Sequence, residues 1–155
     1  EADKILGEGN VTQALTKYSE ALTLLPMHVG CLSNRSACKM ALADLAGCVE
    51  DCSAALALLQ LDPASAPQTG GINMLLSILP PVGSEKRISW VVKTVTRRGA
   101  ANAQLGFVDA AVDDYALAAG LDPKNEKLKT DLNNIRNHRS GMLERKKDPN
   151  AAVKL

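Results

Sequence analysis

Residues 9–22 read GNVTQALTKYSEAL, and residues 106–119 read GFVDAAVDDYALAA. Gly9, Val11, Ala14, Tyr18 and Ala21 fall on Gly106, Val108, Ala111, Tyr115 and Ala118, so one spacing recurs in both stretches. Each stretch runs into a proline, Pro26 or Pro123, that ends a helix. A middle copy opens at Val29 and carries Leu45, Cys48, Cys52 and Ala55 at the equivalent positions. Small residues at helical spacing let two helices approach closely, with the Tyr filling the gap beside them. A unit of this kind buries its apolar face only when a neighbour stacks on it, so the chain is a repeat array.

The composition agrees. The 155 residues are 46% hydrophobic but only 3% aromatic, rich in Ala and Leu, with Trp90, Phe107, Tyr18 and Tyr115 as the only rings of that class. An aromatic-rich β-sandwich or barrel is excluded in favour of an all-α fold of close-packed helices. The net charge of +1 removes the whole-chain electrostatic argument for nucleic-acid binding. The balance hides an asymmetry: residues 1–58 carry four bases against seven acids, and residues 92–155 carry twelve against eight.

This pattern resembles the tetratricopeptide repeat, a helix–turn–helix unit of roughly 34 residues that stacks into a superhelix. The resemblance implies three repeats at about 1–28, 29–62 and 92–125 in a single domain, 1–147. A capping helix over 125–147 carries Leu128, Leu132, Ile135 and Leu143 on one stripe, and residues 148–155 form a flexible tail. Between the second and third repeats lies an insertion, 63–91, broken by Pro63, Pro67, Gly70, Gly71, Pro80, Pro81 and Gly83. Its apolar segment Ile72-Asn73-Met74-Leu75-Leu76-Ser77-Ile78-Leu79 is expected to fold back over the repeats, or else to dock a partner. Ser84 is expected to cap an extension of the third repeat's leading helix, with Glu85 in its first turn.

Chemistry is expected to be absent. Cys31, Cys38, Cys48 and Cys52 have no C-x-x-C spacing, and neither His28 nor His138 joins them in a metal-like cluster, so they serve as small apolar residues in a reducing compartment. No nucleophile–base pair or phosphate loop appears, so no catalytic residue, metal ligand or cofactor is assigned. No apolar run reaches the roughly 20 residues of a membrane span. No basic stretch followed by an apolar one opens the chain, so no signal peptide is expected, and a start at Glu1 fits a processed chain or an excised domain.

What stands out lies on the leading helices: Ser33-Asn34-Arg35-Ser36-Ala37 in the second repeat and Lys93-Thr94-Val95-Thr96-Arg97-Arg98-Gly99 in the third. Lys93 and Arg97 are four apart and share one helical face. Leading helices line the concave groove of such stacks, and two cations with an amide suit a carboxylate. Asn34, Lys93 and Arg97 look like half of the carboxylate clamp of co-chaperone tetratricopeptide domains, which hold the Glu-Glu-Val-Asp tail of heat-shock chaperones. The other half is a Lys-x-x-x-Asn on the first leading helix. Here Asp3 stands where that Asn is expected, and the Lys would precede Glu1. An ionised Asp3 repels an incoming carboxylate, so either the Lys lies upstream in a longer protein or the clamp is weakened. The same alignment implies Leu6, Ala37 and Met40 as groove contacts for an apolar tail residue. Arg97 or Arg98 also has an alternative partner in Asp113 or Asp114.

Further segments, Thr96-Arg97-Arg98-Gly99-Ala100, Asp114-Tyr115-Ala116-Leu117-Ala118-Ala119, Leu121-Asp122-Pro123 and Val49-Glu50-Asp51-Cys52-Ser53-Ala54-Ala55-Leu56, resemble the C-terminal repeat domain of the dynein axonemal assembly factor 4 family. That resemblance implies a cytoplasmic adaptor that helps chaperones preassemble ciliary dynein arms. Its partners would be the tails of 90 and 70 kDa heat-shock chaperones and other assembly factors, with no nucleic acid and no membrane. The alternative is a scaffold that binds an assembly factor or client through its groove or through 72–79. Residues 124–147 hold eight Lys/Arg against three Asp/Glu, which is a solvated face in the absence of an aromatic platform for RNA.

Overall fold

Side-chain caps start most of the helices, and tight turns bring each helix back along the one before. The computed structural model describes residues 8–60 and 78–147, all helix and turn. Asp3, Leu6, residues 72–77 of the apolar segment and the 148–155 tail lie outside the described residues. The helices are α1 (Glu8–Leu24), α2 (Val29–Ala41), α3 (Leu45–Gln60), α4 (Glu85–Leu105), α5 (Val108–Leu121) and α6 (Glu126–Lys147). His28 Nδ1 accepts the Cys31 N–H (3.1 Å) before α2, and Asp44 Oδ1 accepts the Gly47 N–H (3.0 Å) before α3. Ser84 Oγ accepts the Arg87 N–H (3.2 Å) and Asn125 Oδ1 the Leu128 N–H (3.3 Å), each satisfying an orphan donor of a first turn. Ser84 and Glu85 therefore open the extended leading helix of the third repeat, as the sequence implies.

Each helix packs on the next in chain order, and α2 also touches α4 directly. The architecture is an all-α repeat stack in which α2 and α4 stand side by side. Buried apolar residues run through it as linked clusters. Leu22, Val29, Leu32, Ala55 and Leu59 join α1, α2 and α3, while Leu56, Val95, Ala118 and Leu128 carry the core onward to α6. Cys48 and Cys52 are fully buried against Ala101, and all four cysteines are free thiols. At Gly99 an added Cβ would meet Asp114 Cβ at 3.1 Å and the Tyr115 ring at 3.4 Å, the close approach that the small residues permit.

On α6 the expected stripe needs one correction. Leu128 and Leu132 are buried and Ile135 packs beside them, but Leu143 is 52% exposed and Met142 packs instead against Val108 and Val112. From Ile135, steps of three and four residues reach Met142, and Leu143 lies a further 100° round the helix.

The described end of the insertion is tied down. Leu79 packs on the first core cluster, whereas Ile78 is exposed. Arg87, 3% exposed, donates to Leu59 O from Nε (3.1 Å) and Nη2 (2.6 Å), and to Pro80 O from Nη1 (3.1 Å). One guanidinium thus caps the last turn of α3 with positive charge and ties it to the Pro80 carbonyl.

The turn α4–α5 passes through Gly106 at φ 87°, and the α2–α3 turn passes through Ala43 at φ 60°. These are the same repeat position, but Ala carries the Cβ penalty of the left-handed region, roughly 1–2 kcal/mol. Ala43→Gly is expected to stabilise the fold by about 1 kcal/mol, raising the thermal midpoint by roughly 2–4 °C in a chain of this size. Thiol alkylation of the native protein, followed by peptide mass spectrometry, should label half-buried Cys31 first; Cys38, Cys48 and Cys52 should react only on unfolding.

Candidate binding groove

Consecutive residues on the leading helices divide two tasks. On α2, Arg35 turns to its own second helix: Nε and Nη2 each donate at 2.7 Å to the two carboxylate oxygens of Asp51 on α3. Lys39 Nζ adds a contact to Asp51 at 3.1 Å. On α4, Arg98 repeats the fork to Asp114 on α5, at 2.9 and 2.7 Å, and its third nitrogen donates to Ser53 Oγ at 3.2 Å. Both carboxylates are almost wholly buried. The carboxylate hydrogen bond raises each guanidinium above its ordinary value, with burial opposing it.

The residues just before these arginines, Asn34 and Arg97, occupy equivalent repeat positions and face the other way. Arg97 is half-buried. Its Nη1 reaches across to α2, donating to Ser33 O (2.8 Å), Ser33 Oγ (3.3 Å) and Ser36 Oγ (3.0 Å). Asn34 on α2 and Lys93 on α4 are exposed and line one cavity of about 230 Å³, whose floor and walls include Val29, Gly30, Leu59 and Trp90. Among the described residues neither Asn34 nor Lys93 has a polar partner, and Arg97 has no carboxylate. The expectation that Arg97 or Arg98 pairs with Asp113 or Asp114 resolves to Arg98 with Asp114; Asp113 is exposed.

Beneath Arg97 lie the thiols. Cys48 is pushed up, first by its hydrogen bond to Cys52 and then by burial. Cys52 moves down, first by that hydrogen bond, with Ser36, Arg97 and Arg98 adding to it against its burial. Burial pushes Cys38 up, with the charge of Arg97 opposing. These are packing groups whose nearest cations already serve other bonds. Where α4, α5 and α6 meet, Lys127, Asp131 and Asn134 line a more open hollow with Ala103 and Tyr115. The Tyr115 phenol there is pushed up by burial and then by Asp131. Among the described residues no group of three His, Cys, Asp or Glu is arranged for a metal, and no helix is long and apolar enough to cross a membrane.

Of the other expected contacts, Ala37 is half-buried on α2, and Met40 packs against Cys48, Cys52 and Ala101. Neither lines the cavity under Asn34 and Lys93. Trp90 does, and sequence reasoning passed over it. The available signal was its spacing, three residues before Lys93 and so on the same helical face.

No protein-family model matches the chain. Among solved structures, the first tetratricopeptide domain of Spaghetti (RPAP3), bound to the HSP90 peptide SRMEEVD, aligns with a TM-score of 0.61 at 22% identity, covering 89% of each chain. The fold is a tetratricopeptide-repeat stack. In sequence it is similar to dynein axonemal assembly factor 4: the Pongo pygmaeus protein is 29% identical over 135 residues, 87% of this chain and 27% of that protein. The Rattus norvegicus protein matches with the same identity and coverage. The chain thus spans about a quarter of the length of the curated relatives it matches.

Removing the buried carboxylate strands a guanidinium that is about a quarter exposed, at a cost of roughly 1–3 kcal/mol. Asp114→Ala is expected to lower stability by about that much in urea unfolding, and Arg98→Met with Asp114→Leu to recover most of the loss. An Asp114→Ala chain as stable as the parent would show that the fork is not what holds α4 on α5.

Proposed function

We propose that this domain is a co-chaperone adaptor that captures the acidic C-terminal tail of heat-shock chaperones of the 90 and 70 kDa classes, in the cytoplasmic preassembly of axonemal dynein arms. The observation that carries the reading is the pair Asn34 and Lys93, without a polar partner among the described residues and at the rim of one cavity, while Arg35, Lys39 and Arg98 are spent on Asp51 and Asp114. A cation left unpaired beside a hydrogen-bonding amide is a site for an anion, and the second cation, Arg97, is braced against α2 with guanidinium N–H groups to spare. Support for the identity of that anion comes from the Spaghetti domain of the same fold, which holds an HSP90 peptide. Support for the cellular task comes from the similarity to a dynein axonemal assembly factor.

The mechanism is capture without chemistry, so the domain acts as a binding module and not as an enzyme. Lys93 supplies a point charge, Arg97 a fork with one tine already anchored, and Asn34 a donor that orients the carboxylate between them. Anchoring matters because a pre-positioned guanidinium loses less conformational freedom on binding. The groove is open, so its charges are screened and the affinity is modest. Beyond the described residues, Asp3 and Leu6 are the proposed contacts on the first leading helix, with Asp3 opposing the anion.

Isothermal titration with the peptide Ser-Arg-Met-Glu-Glu-Val-Asp is expected to give a micromolar dissociation constant that weakens as salt is raised. Lys93→Ala, at an exposed position that leaves the fold intact, should weaken binding at least tenfold, and amidation of the peptide C-terminus should do the same. Equal binding of the acid and amide forms overturns the proposal.

A further inference from the structure

The leading-helix face does not stop at α4. Lys127 and Asp131 on α6 stand thirty-four residues, one repeat length, on from Lys93 and Arg97, so the capping helix repeats the same two positions. The residue types differ: where α4 carries Arg97, α6 carries a carboxylate. Lys127, Asp131 and Asn134, spaced four and three apart, share one side of α6 and line a hollow of about 460 Å³ with Ala103 of α4 and Tyr115 of α5. Asp131 is half-buried beside the core residue Leu132, on which Tyr115 also packs. The Tyr115 phenol, pushed up by burial and then by Asp131, shows how near the carboxylate stands. Among the described residues, the side chains of Lys127, Asp131, Asn134 and Tyr115 make no hydrogen bond or ion pair; the ion pairs of α6 are Lys129 with Glu126 and Arg139 with Asp109.

We propose that the hollow between α4, α5 and α6 is a cation subsite, in which Asp131 takes the guanidinium of an arginine that lies upstream of the captured acidic terminus. The inference rests on the capture reading above and adds what that reading leaves open, namely a basic residue that the peptide must carry. A carboxylate drawn half out of water without a partner carries a desolvation cost, which an incoming cation offsets. Arginine fits better than lysine. Its planar fork binds both carboxylate oxygens and leaves N–H groups for the Asn134 carbonyl and the phenol oxygen. Lys127 does not oppose this, because it is exposed and stands a full turn from Asp131, toward the α5–α6 turn. There it suits an acid next to the arginine. A peptide whose terminus is held between α2 and α4, and which continues across the stack, meets α6 next. Its cation therefore lies upstream of its acids. The two ends of this face thus differ in sign, cationic at Lys93 and Arg97 and anionic at Asp131, so they select a peptide of mixed charge in one chain direction.

The test compares the peptide Ser-Arg-Met-Glu-Glu-Val-Asp with a version whose Arg is replaced by citrulline, which keeps the shape and loses the charge. Each is titrated into the parent chain and into Asp131→Asn, with circular dichroism to check that both chains are folded. The parent should bind the Arg peptide at least threefold tighter than the citrulline peptide, roughly the scale of a partly exposed ion pair. Asp131→Asn should bind the two peptides equally, at about the parent's affinity for the citrulline peptide. Long-range charge alone gives the opposite sign in both comparisons, because the citrulline peptide is the more acidic and Asp131→Asn makes the groove more positive. A swapped pair, Asp131→Lys with a peptide carrying Glu in place of Arg, should bind tighter than Asp131→Lys with the Arg peptide. Equal or tighter binding of the citrulline peptide by the parent, or a preference that survives Asp131→Asn, overturns the subsite and leaves capture at Lys93 intact. Binding of neither peptide to the parent overturns capture and the subsite together.

Discussion

Two buried forks, Arg35 on Asp51 and Arg98 on Asp114, set the geometry on which the rest of the molecule depends. Each clamps the leading helix of a repeat to the second helix of the same repeat, at the same position in both. A bidentate guanidinium–carboxylate pair is planar and short, so it tolerates little rotation of either helix about its axis. With α2 and α4 held in this way, the residues one step earlier, Asn34 and Arg97, turn to the shared face between the helices. The small residues are the other half of the constraint. Gly99, and Ser36 at its equivalent, let the helices come close enough for the forks to close.

The forks also decide which charges are available. A leading helix rich in Arg and Lys is not by itself a binding surface, because an acid on the neighbouring helix can engage its cations. Here Asp51 takes Arg35 and Lys39, Asp114 takes Arg98, and backbone carbonyls take Arg87. Among the described residues, what remains on the groove side is Lys93, with Asn34 on the same cavity and Arg97 half-anchored to α2. The groove's potential comes from this residue-by-residue sorting. The net charge of +1 does not record it.

The helices and their stacking were legible because they rest on local rules. The Gly, Val, Ala and Tyr spacing of residues 9–22 and 106–119 is a periodicity, and Ser84 before Glu85 is a cap. Leu143 was misjudged because a stripe drifts round a long helix, so a residue one place from the true position looks equally apolar on paper. Ala43 was invisible as a strained turn residue because nothing in Leu42-Ala43-Asp44 announces a left-handed backbone; only the equivalence with Gly106 does. Of the site, Asn34 and Lys93 were legible from their register and do share a cavity. The apolar contacts were harder to see, because Trp90, Leu59 and Val29 come from three helices with no common motif.

By itself the sequence determined the all-α repeat stack and the helical faces on which its polar residues stand. Both follow from spacing along one chain, where a helix converts residue number into direction. Tertiary structure alone decided that Arg98 and not Arg97 meets Asp114, that Arg87 ties the end of α3 to Pro80, and that Lys93 lines a cavity with Asn34. Those outcomes depend on which helices lie within a few ångströms of one another. Adjacent arginines point about 100° apart on a helix, so a small rotation of α4 would exchange their roles. The identity of the partner that each charge meets is a property of the packed molecule, set once the forks have closed.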